Sequence, residues 1–150
     1  MYCAGEPSIK SKNLINTTYD SLMLSLEMIK PGIKLGDLGN FIQNYAETRN
    51  FSVVREFCGH GIGKVFHDEP NILHYGMKGS GVEIREGMFF TVEPMINAGK
   101  PATKMLPDGW TAVTRDRSLS AQFEHSIGVT RDGIEIFTKS LNNSGNPIAI

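Results

Sequence analysis

Three residues of this sequence have the types and spacing to hold a cation: His60, Glu93 and Glu124, set 33 and then 31 positions apart. His60 lies in the run C-G-H-G-I-G of residues 58–63, between glycines that allow backbone angles a Cβ would forbid and leave room for close approach. Glu93 closes the apolar run of residues 87–93, and Pro94 ends strand pairing directly after it. Glu124 lies in S-A-Q-F-E-H, with Gln122 and Ser126 on the same side of an alternating pattern. A carboxylate within an apolar strand is costly to bury unless a partner or a metal takes its charge. One imidazole with two carboxylates, each at or beside a strand end, suits a divalent ion of intermediate hardness: Mn, Fe, Co or Zn. His67, just past the glycines, is placed as a donor to a developing oxyanion rather than as a ligand. Taken singly, each residue has a plainer explanation. His60 can bond its own backbone within a Gly-rich loop, and the glutamates can face solvent or pair with Arg55, Arg115 or Arg117.

Such residues must be carried by a scaffold, and the pattern supplies one. Leu14, Thr18, Leu22, Leu26 and Ile29 recur near every fourth position, which predicts a helix over residues 9–29. Lys30, Pro31 and Gly32 stop it, and Leu35, Leu38, Phe41, Ile42 and Tyr45 mark a second helix ending near Asn50. The period then changes to alternation. Residues 51–57 read as a strand leading into the glycine loop, residues 71–81 as a loop, and residues 87–93 as a strand. His74 has no partner in the sequence and reads as a surface or structural residue. Residues 97–114 read as a hairpin excursion around Trp110, and residues 120–130 and 134–138 as an antiparallel hairpin turning at Arg131, Asp132 and Gly133. The fold class is therefore α+β, a curved antiparallel sheet with two helices on one face. Residues 1–150 read as a single domain, with 140–150 a loose tail.

Bulk properties exclude more than they assign. The 150 residues carry 15 Lys+Arg against 16 Asp+Glu, a net charge of -1, so no nucleic-acid footprint or polybasic membrane patch is expected. No apolar run reaches membrane-spanning length, and the N-terminus lacks a signal-peptide core. Two cysteines, Cys3 and Cys58, are too few for a disulfide framework. A cytoplasmic protein with free thiols is the expectation.

C-G-H-G-I-G with F-H-D-E-P, then T-V-E-P-M, D-G-W and D-R-S-L-S-A-Q-F-E-H, resemble the type I methionine aminopeptidases in order and spacing over nearly the whole chain. That resemblance implies a pita-bread fold and hydrolytic removal of N-terminal methionine from polypeptides. It implies His60, Glu93 and Glu124 as metal ligands, with Glu93 also moving protons. It further implies His67 as a catalytic and substrate-contacting residue, and Phe66 and Trp110 as walls of the methionine pocket. Such enzymes hold two metals with five side chains, two of them aspartates from the N-terminal half. Asp20, Asp37, Asp68, Asp108, Asp116 and Asp132 match neither aspartate. The chain thus resembles a C-terminal half, expected to hold at most one divalent cation, to be impaired or inactive alone, and to self-associate through the uncovered face. A peptide-binding module without catalysis and a related metal-dependent dipeptidase are the alternative readings.

Overall fold

The computed structural model describes residue 1 and residues 3–140. The expected loose tail lies, past Ser140, outside the described residues.

Two helices come first. Helix α1 spans Ile9–Glu27 and helix α2 Leu35–Glu47. The Ser8 hydroxyl starts α1 by accepting from the Ser11 N–H at 3.2 Å, which satisfies one of the orphan donors of a first turn. Asp37 does the same for α2: its carboxylate accepts from the Lys34 N–H at 3.0 Å and from the Gly79 N–H at 2.7 Å. Those backbone bonds hold the Asp37 carboxyl below its ordinary range. The predicted faces are the buried ones. Leu14, Thr18, Leu22, Leu26 and Ile29 are buried, as are Leu35, Leu38 and Ile42, with Ala46 completing the stripe while Phe41 and Tyr45 sit at its margin.

Among the described residues ten short strands follow: β1 Ser52–Val53, β2 Gly59–Gly61, β3 Asp68–Ile72, β4 Phe89–Val92, β5 Met95–Asn97, β6 Thr103–Met105, β7 Ala112–Thr114, β8 Ser120–Gln122, β9 His125–Val129 and β10 Ile134–Ile136. All their pairings are antiparallel. They form a three-stranded sheet ordered β1-β5-β8, a five-stranded sheet ordered β10-β9-β4-β2-β3, and the β6-β7 hairpin. Helix α1 packs on β5 and β8, and α2 on β1. Phe90, Val92, Ile96, Ile127 and the helix stripes share one hydrophobic core.

The expected strand over 87–93 is β4, and past Pro94 the chain pairs again as β5; the strand expected over 120–130 is broken in two, into β8 and β9. The breaks lie opposite each other. Val92 pairs with His125 in the five-stranded sheet, while Met95 pairs with Gln122 in the three-stranded one. One antiparallel ribbon therefore crosses from sheet to sheet at residues 93–94 and 123–124. The strand expected over 51–57 is paired only at Ser52 and Val53; the chain then crosses to the other sheet and becomes β2.

Candidate functional site

The seam between the two sheets is where the chemistry collects. A chain leaving one sheet for another has no ladder partner for a residue or two, so its polar groups and side chains are free to serve a site. Glu93 and Glu124 stand at the two facing breaks of the crossing ribbon. His60 stands on β2, which lies beside β4 through the pairing of Gly61 with Phe90. The glycine run expected to loop around His60 is itself this strand, and the glycines are needed for closeness. A Cβ on Gly59 would sit 2.5 Å from the Thr91 carbonyl oxygen, and one on Gly61 would collide with the Glu69 carbonyl of β3.

The three side chains open into one cleft of about 360 Å³, lined by Phe57, Cys58, His60, Phe66, His67, Asn71, Glu93, Met95 and Glu124. His60 Nε2 lies 3.7 Å from Glu93 Oε1, with side chains only 11% and 14% exposed. The His60 Nδ1–H donates to the Gly61 carbonyl at 2.9 Å, so the plainer reading of this histidine is half right. That bond also leaves Nε2 with its lone pair toward the cleft, the tautomer a cation needs. Of the plainer alternatives for the glutamates, the arginine pairs do not form among the described residues, whereas exposure to solvent does hold for Glu124 and not for Glu93.

Glu93 is held by neutral donors instead. The Thr91 hydroxyl accepts from the His60 N–H at 3.0 Å and donates to Glu93 Oε1 at 2.8 Å, while the Gln122 amide donates to Oε2 at 3.2 Å. The Glu93 N–H donates to His74 Nε2 at 3.0 Å. His74 is fully buried, so the surface position left open for it is corrected to a structural one. Burial pushes its imidazole down to about 3, and the ring is neutral. Burial pushes the Glu93 carboxyl up, and the nearby Glu124 carboxylate adds to the rise; Thr91, His60 and His67 oppose it. The half-buried Cys58 is a free thiol, raised by burial and then by Glu93 and Glu69.

The remaining expected residues lie at or beyond the rim. His67 is exposed in the turn before β3, its ring centroid 4.3 Å from that of His60, and Phe66 completes a triangle of rings, tilted at 5.4 Å from His60 and edge-on at 4.7 Å from His67. Trp110 is 87% exposed at the tip of the β6-β7 hairpin and is not among the residues lining the cleft. Sequence reasoning passed over Thr91 and Gln122, and gave His74 no part. Thr91 and Gln122 each lie two positions before a singled-out glutamate, on the same side of an alternating strand.

No three His, Cys, Asp or Glu side chains among the described residues are already drawn together at metal-binding spacing. The donor set nevertheless fits a divalent cation. The Glu93 carboxyl, raised by burial and then by Glu124, has no Lys or Arg partner among the described residues, and the free Nε2 of His60 beside it is a neutral ligand.

Residues 1–131 match the Metallopeptidase family M24. The chain belongs to that family. It is 62% identical over 141 residues to a methionine aminopeptidase of Rickettsia prowazekii, covering 93% of this chain and 54% of that protein. The crystal structure of methionine aminopeptidase from Rickettsia prowazekii superposes with a TM-score of 0.88 over 90% of this chain and 55% of its own. That from Thermotoga maritima, 44% identical, superposes with a TM-score of 0.89 over 91% of this chain and 55% of its own. The two helices and antiparallel sheets are thus part of a pita-bread fold, and the chain spans about half the length of the relatives it matches. None of its helices, among the described residues, is long and apolar enough to cross a membrane.

Proposed function

We propose that this chain carries the His-Glu-Glu portion of a methionine aminopeptidase site and acts in the removal of N-terminal methionine from polypeptides. The observation that carries the reading is the contact of His60 Nε2 with Glu93 Oε1 in a cleft that Glu124 also lines. His60, Glu93 and Glu124 would hold one divalent cation, Mn, Fe, Co or Zn. Such an ion supplies Lewis-acid polarisation of a scissile carbonyl and acidification of a water. The chain's own residues account for the rest. Glu93, with its carboxyl raised by burial, is suited to take a proton from the nucleophile and pass it to the leaving amine. His67 stands at the cleft mouth to donate to the carbonyl oxygen as charge develops there. Phe66, in the cleft lining, and the exposed Trp110 offer apolar surface for the methionine side chain.

Three ligands make a workable open site, but one cation without a second centre lowers turnover. The chain alone is therefore weak or inactive, in a cytoplasmic setting that keeps Cys3 and Cys58 reduced. The exposed apolar side chains of Val65, Phe66, Met105 and Trp110 support the reading that the chain self-associates. An assay of the purified chain with Met-Ala and Ala-Pro peptides, with each metal added, tests the reading. Slow methionine release or none, with no Ala-Pro cleavage, is expected. Preferential cleavage of Ala-Pro would replace the reading with the dipeptidase one, and rapid methionine release would overturn the claim of impairment.

A further inference from the structure

We infer that His74 is a positioning residue for the cation site, fixing Glu93 through its main chain. The inference rests on the reading of Glu93 as a cation ligand and deepens it. Glu93 follows the last paired residue of β4, and Pro94 after it offers no N–H. At the crossing between sheets the Glu93 N–H has no strand carbonyl to meet, and a buried unpaired N–H is costly. His74 supplies the missing acceptor: its Nε2 receives that N–H at 3.0 Å.

The placement is not a generic packing choice. His74 lies two residues past the end of β3, the strand whose Asn71 pairs with His60 of β2. It is 2% exposed, and a polar ring buried to that degree is costly unless a partner satisfies it. The Glu93 N–H is that partner. The arm that carries His74 therefore ties β3, beside His60, to the crossing point that carries Glu93. Together with the Thr91 hydroxyl, which touches both His60 and Glu93, it fixes the carboxylate at its backbone and at its tip. Partners of this kind around a metal ligand typically change affinity by about 10–100-fold when lost.

Two measurements on the full chain decide the matter. In the isotopically labelled protein with no metal added, the N–H···N bond predicts a scalar coupling between the Glu93 amide nitrogen and His74 Nε2. Absence of that coupling overturns the inference. In calorimetry with Mn(II), His74→Phe, which keeps a ring and loses the acceptor, is expected to bind about 10–100-fold more weakly. His74→Gln, which returns an acceptor oxygen near the Nε2 position, is expected to recover most of the loss at the same melting temperature as His74→Phe. Unchanged affinity in His74→Phe, or no recovery in His74→Gln, also overturns it. If the wild-type chain takes up no Mn(II), the cation reading fails by itself, and the coupling still decides whether His74 holds Glu93.

Discussion

The cleft has a wall and a rim, and they are built differently. On the wall, His60 stands on β2 and Glu93 at the crossing just past β4, each tied by its backbone and its side chain to Thr91, Gly61 or His74. On the rim, Phe66 is 70% exposed, His67 lies in a turn, and Trp110 caps a hairpin away from the cleft. Wall residues owe their positions to this chain's own sheets. At the rim, Phe66 and His67 meet the wall through ring contacts with His60, and the Trp110 ring is exposed. The difference teaches which half of the chemistry is prepared in advance. Electrostatic preorganisation needs groups that cannot relax, and only the wall has them.

Removing the core under the wall should have the largest effect. Phe90, 1% exposed, lies on β4 directly across from Gly61. Phe90→Ala is expected to cost about 3–5 kcal/mol in urea unfolding, with the slope unchanged. A loss below 1 kcal/mol would mean the two sheets do not share a core.

A smaller change is expected from Thr91→Val, which keeps the shape and removes the hydroxyl. It leaves the His60 N–H unpaired and takes away the bond that opposes the rise of the Glu93 carboxyl. Cation affinity at neutral pH should fall about tenfold, an effect of roughly 1.4 kcal/mol. The sign of the pH effect follows. Glu93 is already raised by burial, the variant raises it further, and protons compete with a cation for it, so affinity should fade at higher pH on acidification than in wild type. Thr91→Ser should restore both; coincident pH profiles for wild type and Thr91→Val would remove Thr91 from the account.

The smallest effect belongs to the rim. Trp110→Ala should leave stability within about 0.5 kcal/mol and cation uptake unchanged, because the ring is bound to nothing here. A large loss of either would show the hairpin folding onto the cleft in solution.

Both helices were legible because their buried stripes repeat at the helical period over many residues, so local pattern and packing agree. The ligand candidates were legible because charge in an apolar strand is conspicuous. The crossing of the sheets was not. Alternation continues through Glu93 and through Phe123-Glu124, and only Pro94 hints that the ladder stops. Three glycines around His60 carry the usual signature of a loop, yet two of them, Gly59 and Gly61, are there because β4 and β3 approach too closely for a Cβ. Strand β3 was missed because Asp68, Glu69 and Pro70 show no apolar alternation and residues 71–81 read as a loop. His74 followed Ile72 on the alternation of a buried face, a signal present in the pattern but outweighed by the absence of a nearby acid or second histidine.

The most direct test is calorimetric titration of Mn(II) into the purified chain and into Glu93→Ala. The expected result is uptake of no more than one ion per chain, weakened at least about 100-fold, or roughly 2.7 kcal/mol, in the variant. No uptake by the wild-type chain, or equal uptake by both, would contradict the cation site built from His60, Glu93 and Glu124.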